Sequence, residues 1–299
     1  MLQRILLSLS CLLISASAWA INPYLYGDPL SAGNVQVVAA SAEKRLEAEG
    51  FKVVGKYFPK HYPGHGIVIA TDEAILKEIA ETGKQTIASA AIRVGVKADG
   101  TVSYTNPDYW YRAFFRNRFS SVENTVEGMQ KKLAKALGAG QGFGGDESAK
   151  SLSNYRYMVG MERLDASKNK LVETESFNDA VKTVRDNLAK KVAGTAKVYE
   201  VVIPGKQLAV FGVAFTDEEN GDASWLKTIN APESFASLPY EIFVIGNEVQ
   251  ALHARYRIAL SFPDTGMGTF MRISNVPNMI RDTLLQVAGG KVEEFNHLE

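Results

Sequence analysis

Along this chain the spacing of apolar positions switches between helical and strand periods in the same order twice. From Asn34 to Glu49, Val35, Val38, Ala39, Ala42 and Leu46 recur at helical spacing and the run stops at Gly50, which predicts a helix. From Ser176, an N-cap residue with Asp179 three positions on, Phe177, Ala180, Val181, Val184 and Leu188 carry an equivalent stripe toward Gly194. Two β-rich runs follow each helix: Phe51 to Phe58 with Gly66 to Ala70, and Lys197 to Ile203 with Leu208 to Phe215. The turns between them carry Pro59, Pro63 and Gly64 in one case and Pro204-Gly205 in the other. Acidic residues then open a short helix in each half, Asp72-Glu73 before Ile75, Leu76 and Ile79, and Asp217 to Asp222 before Trp225, Leu226 and Ile229. A second hairpin comes next, Ala90 to Val96 turning at Asp99-Gly100 into Val102 to Thr105, and Tyr240 to Ile245 turning at Gly246-Asn247 into Val249 to Phe262. Closing helices place Val122, Val126, Met129, Leu133 and Leu137 before Gly138, and Val276, Ile280, Leu284 and Val287 before Gly289.

This order predicts two tandem repeats, residues 21–137 and 154–299, joined by a Gly/Ser-rich linker at 138–153, with Tyr155 to Leu164 a strand leading into the second copy. Antiparallel hairpins with helices gathered on one face give an α+β class rather than a doubly wound parallel sheet. The expected arrangement is one continuous sheet with its other face open.

The run Val249 to Phe262 alternates with period two. Leu252, Ala254, Tyr256, Ile258, Leu260 and Phe262 share one face, and His253, Arg255 and Arg257 share the other. The corresponding region of the first half holds Tyr109, Trp110, Tyr111 and Arg112, with Arg116 and Arg118 beyond. Arginine can hold a carboxylate or phosphate bidentately and tyrosine adds stacking area. The candidate ligand site is therefore an anion-accepting surface of His253, Arg255, Arg257, Tyr109, Tyr111 and Arg112. The competing reading is a solvated strand face whose arginine stems cover apolar surface.

The first twenty residues change the setting. Arg4 precedes the apolar run Ile5 to Ile14, and Ala18-Trp19-Ala20 supplies small residues for cleavage, so the expectation is a signal peptide (1–20), a mature start at Ile21 and a periplasmic, soluble protein. A lipidated Cys11 would leave too short an apolar run before it. Cys11 is the sole cysteine, so a chain cleaved after Ala20 has no thiol for disulfides, thiolate metal sites or nucleophilic catalysis. Basic and acidic residues balance at 33 each, which offers no field to attract nucleic acid or anionic membrane. With 46% hydrophobic residues there is material for a large core.

The pattern resembles the domain-of-unknown-function 302 family: Gly50-Phe51, Ile67 to Ala70, Ile92 to Val96, Asp99-Gly100 and Pro107 fit one copy, and Gly194, Leu238-Pro239, Ile242 to Ile245, Gly246-Asn247 and Pro263 the other. The first copy has Ala88-Ser89 where that family has Leu-Pro. The resemblance implies a TBP-like α+β fold that pairs as a homodimer, so this chain would be a monomer carrying its pseudo-dimer within itself, or a homodimer. It implies no chemistry.

Other candidates are weaker. His61 and His65 are four apart, but Pro63 and Gly64 make that segment a turn, so the spacing encodes no metal geometry; a copper site would need Met158, Met161, Met267 or Met271 nearby. The glycines of 138–145 follow a helix rather than a strand and lead into Asp146-Glu147, which argues against a phosphate loop. There is no Gly-x-Ser-x-Gly and no His-Glu-x-x-His. The leading expectation is a binding or accessory protein for a small anionic molecule, without a cofactor, and more a binder than an enzyme. The alternatives are an enzyme on a small anionic substrate and a structural or assembly protein.

Overall fold

The computed structural model describes residues 20 to 292 except Asn220, so the expected signal peptide with Cys11, and His297, lie outside the described residues. The first half runs β1 (Ala20–Ile21), β2 (Tyr24–Tyr26), α1 (Val35–Ala48), β3 (Lys52–Tyr57), β4 (His65–Thr71), α2 (Glu73–Thr82), a 3₁₀ segment Lys84–Ser89, β5 (Ile92–Lys97), β6 (Val102–Thr105), α3 (Pro107–Phe115) and α4 (Phe119–Leu137). A connecting region follows with β7 (Gly142–Phe143), β8 (Glu147–Ser148) and α5 (Ala149–Leu152). The second half runs β9 (Lys170–Glu173), α6 (Phe177–Ala189), β10 (Thr195–Ile203), β11 (Leu208–Phe215), α7 (Asp222–Thr228), a 3₁₀ segment Pro232–Ser237, β12 (Tyr240–Ile245), β13 (Glu248–Ala251), α8 (Ala254–Ser261), α9 (Met267–Arg272) and α10 (Val276–Val287). The class is α+β, with antiparallel sheets throughout.

The strands form two main sheets rather than the one continuous sheet expected. One has the order β3-β4-β5-β6-β2-β7, the other β10-β11-β12-β13-β9, and a two-stranded ribbon pairs β1 with β8. Omitting β7, the two orders correspond strand for strand. Short leading strands, β2 and β9, pair with the last hairpin strand of their own half, a feature that the periodicity did not announce. Residues 138–153, expected as a plain linker, contribute β7 to the first sheet and β8 to the ribbon. The segment Tyr155 to Leu164, expected as a strand, is irregular.

Caps and turns place the elements. Asp72 accepts from the N–H groups of Ala74 and Ile75 and fixes the start of α2. Asn106 caps α3 with Pro107 in its first turn, and His253 caps α8. On each sheet one face meets the helices of its own half and the other meets the opposite half. Along β5, Ile92, Val94 and Val96 enter the core, while Arg93 and Lys97 reach residues of the second half. The contact is reciprocal: the 3₁₀ segment Pro232–Ser237 packs on β5 and β6, and Lys84–Ser89 packs on β11 and β12. Edge strands β3 and β10 also meet, each with a bulge at the contact, and Gly55 lets them close, since a Cβ there would lie 2.2 Å from the Val198 carbonyl oxygen.

Candidate functional site

The six residues expected to form one anion-accepting strand surface are not on strands. Tyr109, Tyr111 and Arg112 belong to α3, Arg255 and Arg257 to α8, and His253 is the residue before α8. The alternation across 252–262 is real but has another cause. Helix α8 is buried on nearly every side, from Ala254 and Tyr256 to Arg257, Ile258, Ala259, Leu260 and Ser261, so its apolar residues need no helical stripe.

Most of the expected cations are already occupied. Arg112 pairs with Asp108 at 2.8 Å and Glu123 at 3.2 Å and lies over the Phe119 ring. The Tyr109 and Tyr111 hydroxyls donate to the carbonyls of Leu260 and Ser89, and both rings are buried. The Nδ1 of His253 accepts from the Arg255 N–H, and its Nε2 stands 3.6 Å from Glu162. Burial lowers the His253 pKa, which suits a neutral ring acting as acceptor. Arg255 stays partly exposed at the start of α8.

Arg257 instead joins a sealed cluster between the halves. Its Nε donates to Glu241 on β12 at 3.0 Å, and its other nitrogens reach the Ser237 carbonyl and the Ser261 hydroxyl. Arg93 on β5 donates to the same Glu241 carboxylate and to the Ala236 carbonyl. Trp110 lies beneath both guanidiniums, with centroid distances of 4.7 Å to Arg93 and 5.0 Å to Arg257. All three charged side chains are almost fully buried, and the adjoining void between Arg93 and Trp110 holds only about 10 Å³. Such a network is a structural clamp; nothing the size of a substrate can reach it.

The enclosed hollow with free hydrogen-bonding capacity lies in the second half, between α7 and the start of α10. It measures about 170 Å³ and is walled by Trp225, Ser224 and Thr228 of α7, Arg272 at the end of α9, Asn275 and Met279, with one acidic residue, Glu219, also in its lining. Trp225 is wedged edge-on against Tyr240 and Phe262, and its Nε1 is buried with no hydrogen-bond partner among the described residues. A buried indole N–H ordinarily has an acceptor. Three residues earlier, Asp222 is fully buried; it accepts from the Phe215 N–H at 3.0 Å and lies near the Tyr57 phenol of the opposite half, while its Oδ1 has no partner among the described residues. Burial raises its pKa to about 8.

Other hollows offer less. The one at 160–168, about 480 Å³, is lined by a single loop, with acidic and basic side chains already near one another. Another, about 250 Å³, lies between Phe143 and Phe262 and is bordered by Glu233 and Asp264, with no cation in its lining to receive an anion. His61 stands 3.9 Å from Glu218, while His65 packs against Tyr62 and Phe235. Among the described residues no three His, Cys, Asp or Glu side chains are grouped to hold a metal, and no helix is long and apolar enough to cross a membrane.

The periodicity marked Trp225 only as a core position, and Arg272 and Asn275 not at all, because the pocket forms where distant helices meet. Comparison with known proteins adds no constraint: no family model, curated protein or solved structure matches the chain.

Proposed function

We propose that this chain is an exported periplasmic binding or accessory protein, cleaved after Ala20, whose second half takes a small acid-bearing molecule in the Trp225 pocket. The observation that carries the reading is Trp225, which lines the cavity and whose buried Nε1 has no acceptor among the described residues. A carboxylate there would accept from the indole and face the Arg272 guanidinium, with Ser224 and Asn275 for its second oxygen. This keeps the anionic ligand expected from the sequence and moves its site away from His253, Arg255 and Arg257. The volume suits a molecule smaller than most drug-sized ligands, which occupy roughly 300–1,000 Å³.

The two halves read as copies of one unit, an internal pseudo-dimer, on the strength of their shared strand order and reciprocal 3₁₀ contacts. The sealed Arg93, Glu241 and Arg257 cluster favours a binding role, since the densest group of charges is consumed in holding the halves together. Asp222 is what a second reading, an enzyme, would draw on, because a carboxyl with a raised pKa, three residues before Trp225, is the kind of group that general-acid chemistry uses.

A thermal-shift screen of small mono- and dicarboxylates against the mature chain tests the proposal. A stabilising carboxylate should bind about 10-fold or more weakly to Trp225→Phe, which keeps the ring, and to Arg272→Ala. The reading fails if no carboxylate stabilises the protein or if Trp225→Phe binds as tightly as the parent. Turnover of the bound acid, followed by NMR, would favour the enzyme.

A further inference from the structure

Four of the six methionines beyond Met1 fall in two short segments, Met158 with Met161 and Met267 with Met271. Chain contacts bring those segments together. Tyr157 stacks on Phe270 with ring centroids 5.4 Å apart, which docks the loop before Met158 onto α9. The Met161 N–H donates to the Met158 carbonyl at 3.1 Å, closing a turn that carries both thioethers. Met267 and Met271 are four residues apart on α9 and so share a face. Met158, Met267 and Met271 are 43%, 50% and 62% exposed, and Met161 is half-buried where it lines the 160–168 hollow.

Packing alone does not account for this choice. A surface patch that only had to be apolar could use leucine or valine, whereas the repeated element here is a polarizable sulfur. Thioethers select soft, monovalent d¹⁰ cations over zinc, calcium or magnesium, and they need not lose a proton to bind. Among the described residues no imidazole and carboxylate cluster competes for the harder metals.

We propose that Met158, Met161, Met267 and Met271 form one thioether site, shared between the 158–161 turn and α9, for Cu(I) or its analogue Ag(I). The site is separate from the Trp225 pocket. It carries no redox step, because the metal arrives and leaves in its +1 state.

Ag(I) in chloride-free buffer is the probe, read by native mass spectrometry of the mature chain and by competition with a chromophoric Cu(I) chelator. The expected result is one ion per chain, with affinity little changed between about pH 5 and pH 8 because thioethers do not titrate there. Two double variants, Met158→Leu with Met161→Leu and Met267→Leu with Met271→Leu, keep the patch apolar and should each weaken binding by about 10-fold or more. If neither ion binds, or either double variant binds like the parent, the shared site is refuted. An affinity that collapses below pH 6 would assign the ion to histidine instead and would also refute it.

Discussion

Asp222 is a carboxyl deep inside the protein, accepting one N–H bond and lying beside one phenol, and its Oδ1 has no partner among the described residues. Its folded pKa, about 8, lies above the ordinary 3.8, so the folded state favours the protonated form. The linked stability is fully present below about pH 4 and is lost progressively as pH rises toward 8. Asp222→Asn removes the ionisation and keeps an acceptor for Phe215. It should raise Tm at pH 7.5, with a gain that shrinks toward pH 5 and vanishes near pH 4, as differential scanning fluorimetry across that range would show. A variant that lowers Tm equally at every pH would mean that the carboxyl is needed as such. The same residue illustrates what spacing conceals. Asp217 to Asp222 is legible as an acidic entry to a helix, but only the fold, which turns Asp222 onto the Phe215 N–H, reveals that one member is buried.

At the level of elements, the hairpin strands, the long helices and the α+β class were legible because their periods and caps are local. Leu208–Phe215 and Val102–Thr105 appear as expected. What was not legible depends on distant partners. Strands β2 and β9 are three and four residues long and owe their state to pairing with β6 and β13. Helix α8 lacks an amphipathic stripe because it is enclosed, so its sequence fits a strand as well as a helix until the His253 cap is seen. Arg93 looks like an ordinary strand cation, and its carboxylate partner is 148 residues away. The β3 and β10 contact gives an element-scale prediction. Gly55→Ala would drive a methyl into the Val198 carbonyl, parting the two edge strands at a cost of about 1–3 kcal/mol. Gly128→Ala, on the open side of α4, should be neutral or stabilising, and urea unfolding of both variants would check the contrast.

At the scale of the whole molecule the halves should unfold together. The 3₁₀ segments cross reciprocally, and Glu241 neutralises cations from both β5 and α8. Calorimetry should show one transition, and Glu241→Gln, which leaves two buried guanidiniums without their anion, should lower it as a single peak by about 3–5 kcal/mol of stability. Two separate peaks in either protein would mean that the seam is weaker than its contacts indicate. Arg93 and Glu241 are each the second residue of the third strand in their sheet. If the first half met a second copy of itself in this arrangement, Arg93 would face Arg93 in a dry interior without Glu241, whereas Glu241 keeps Arg257 of its own half in either pairing. Only the unlike combination gives Arg93 its carboxylate, so the first half can tell its complement from its twin. During folding in a crowded compartment, that requirement acts as a proofreading step: it steers each chain to close on itself and penalises pairing of first halves between neighbouring chains.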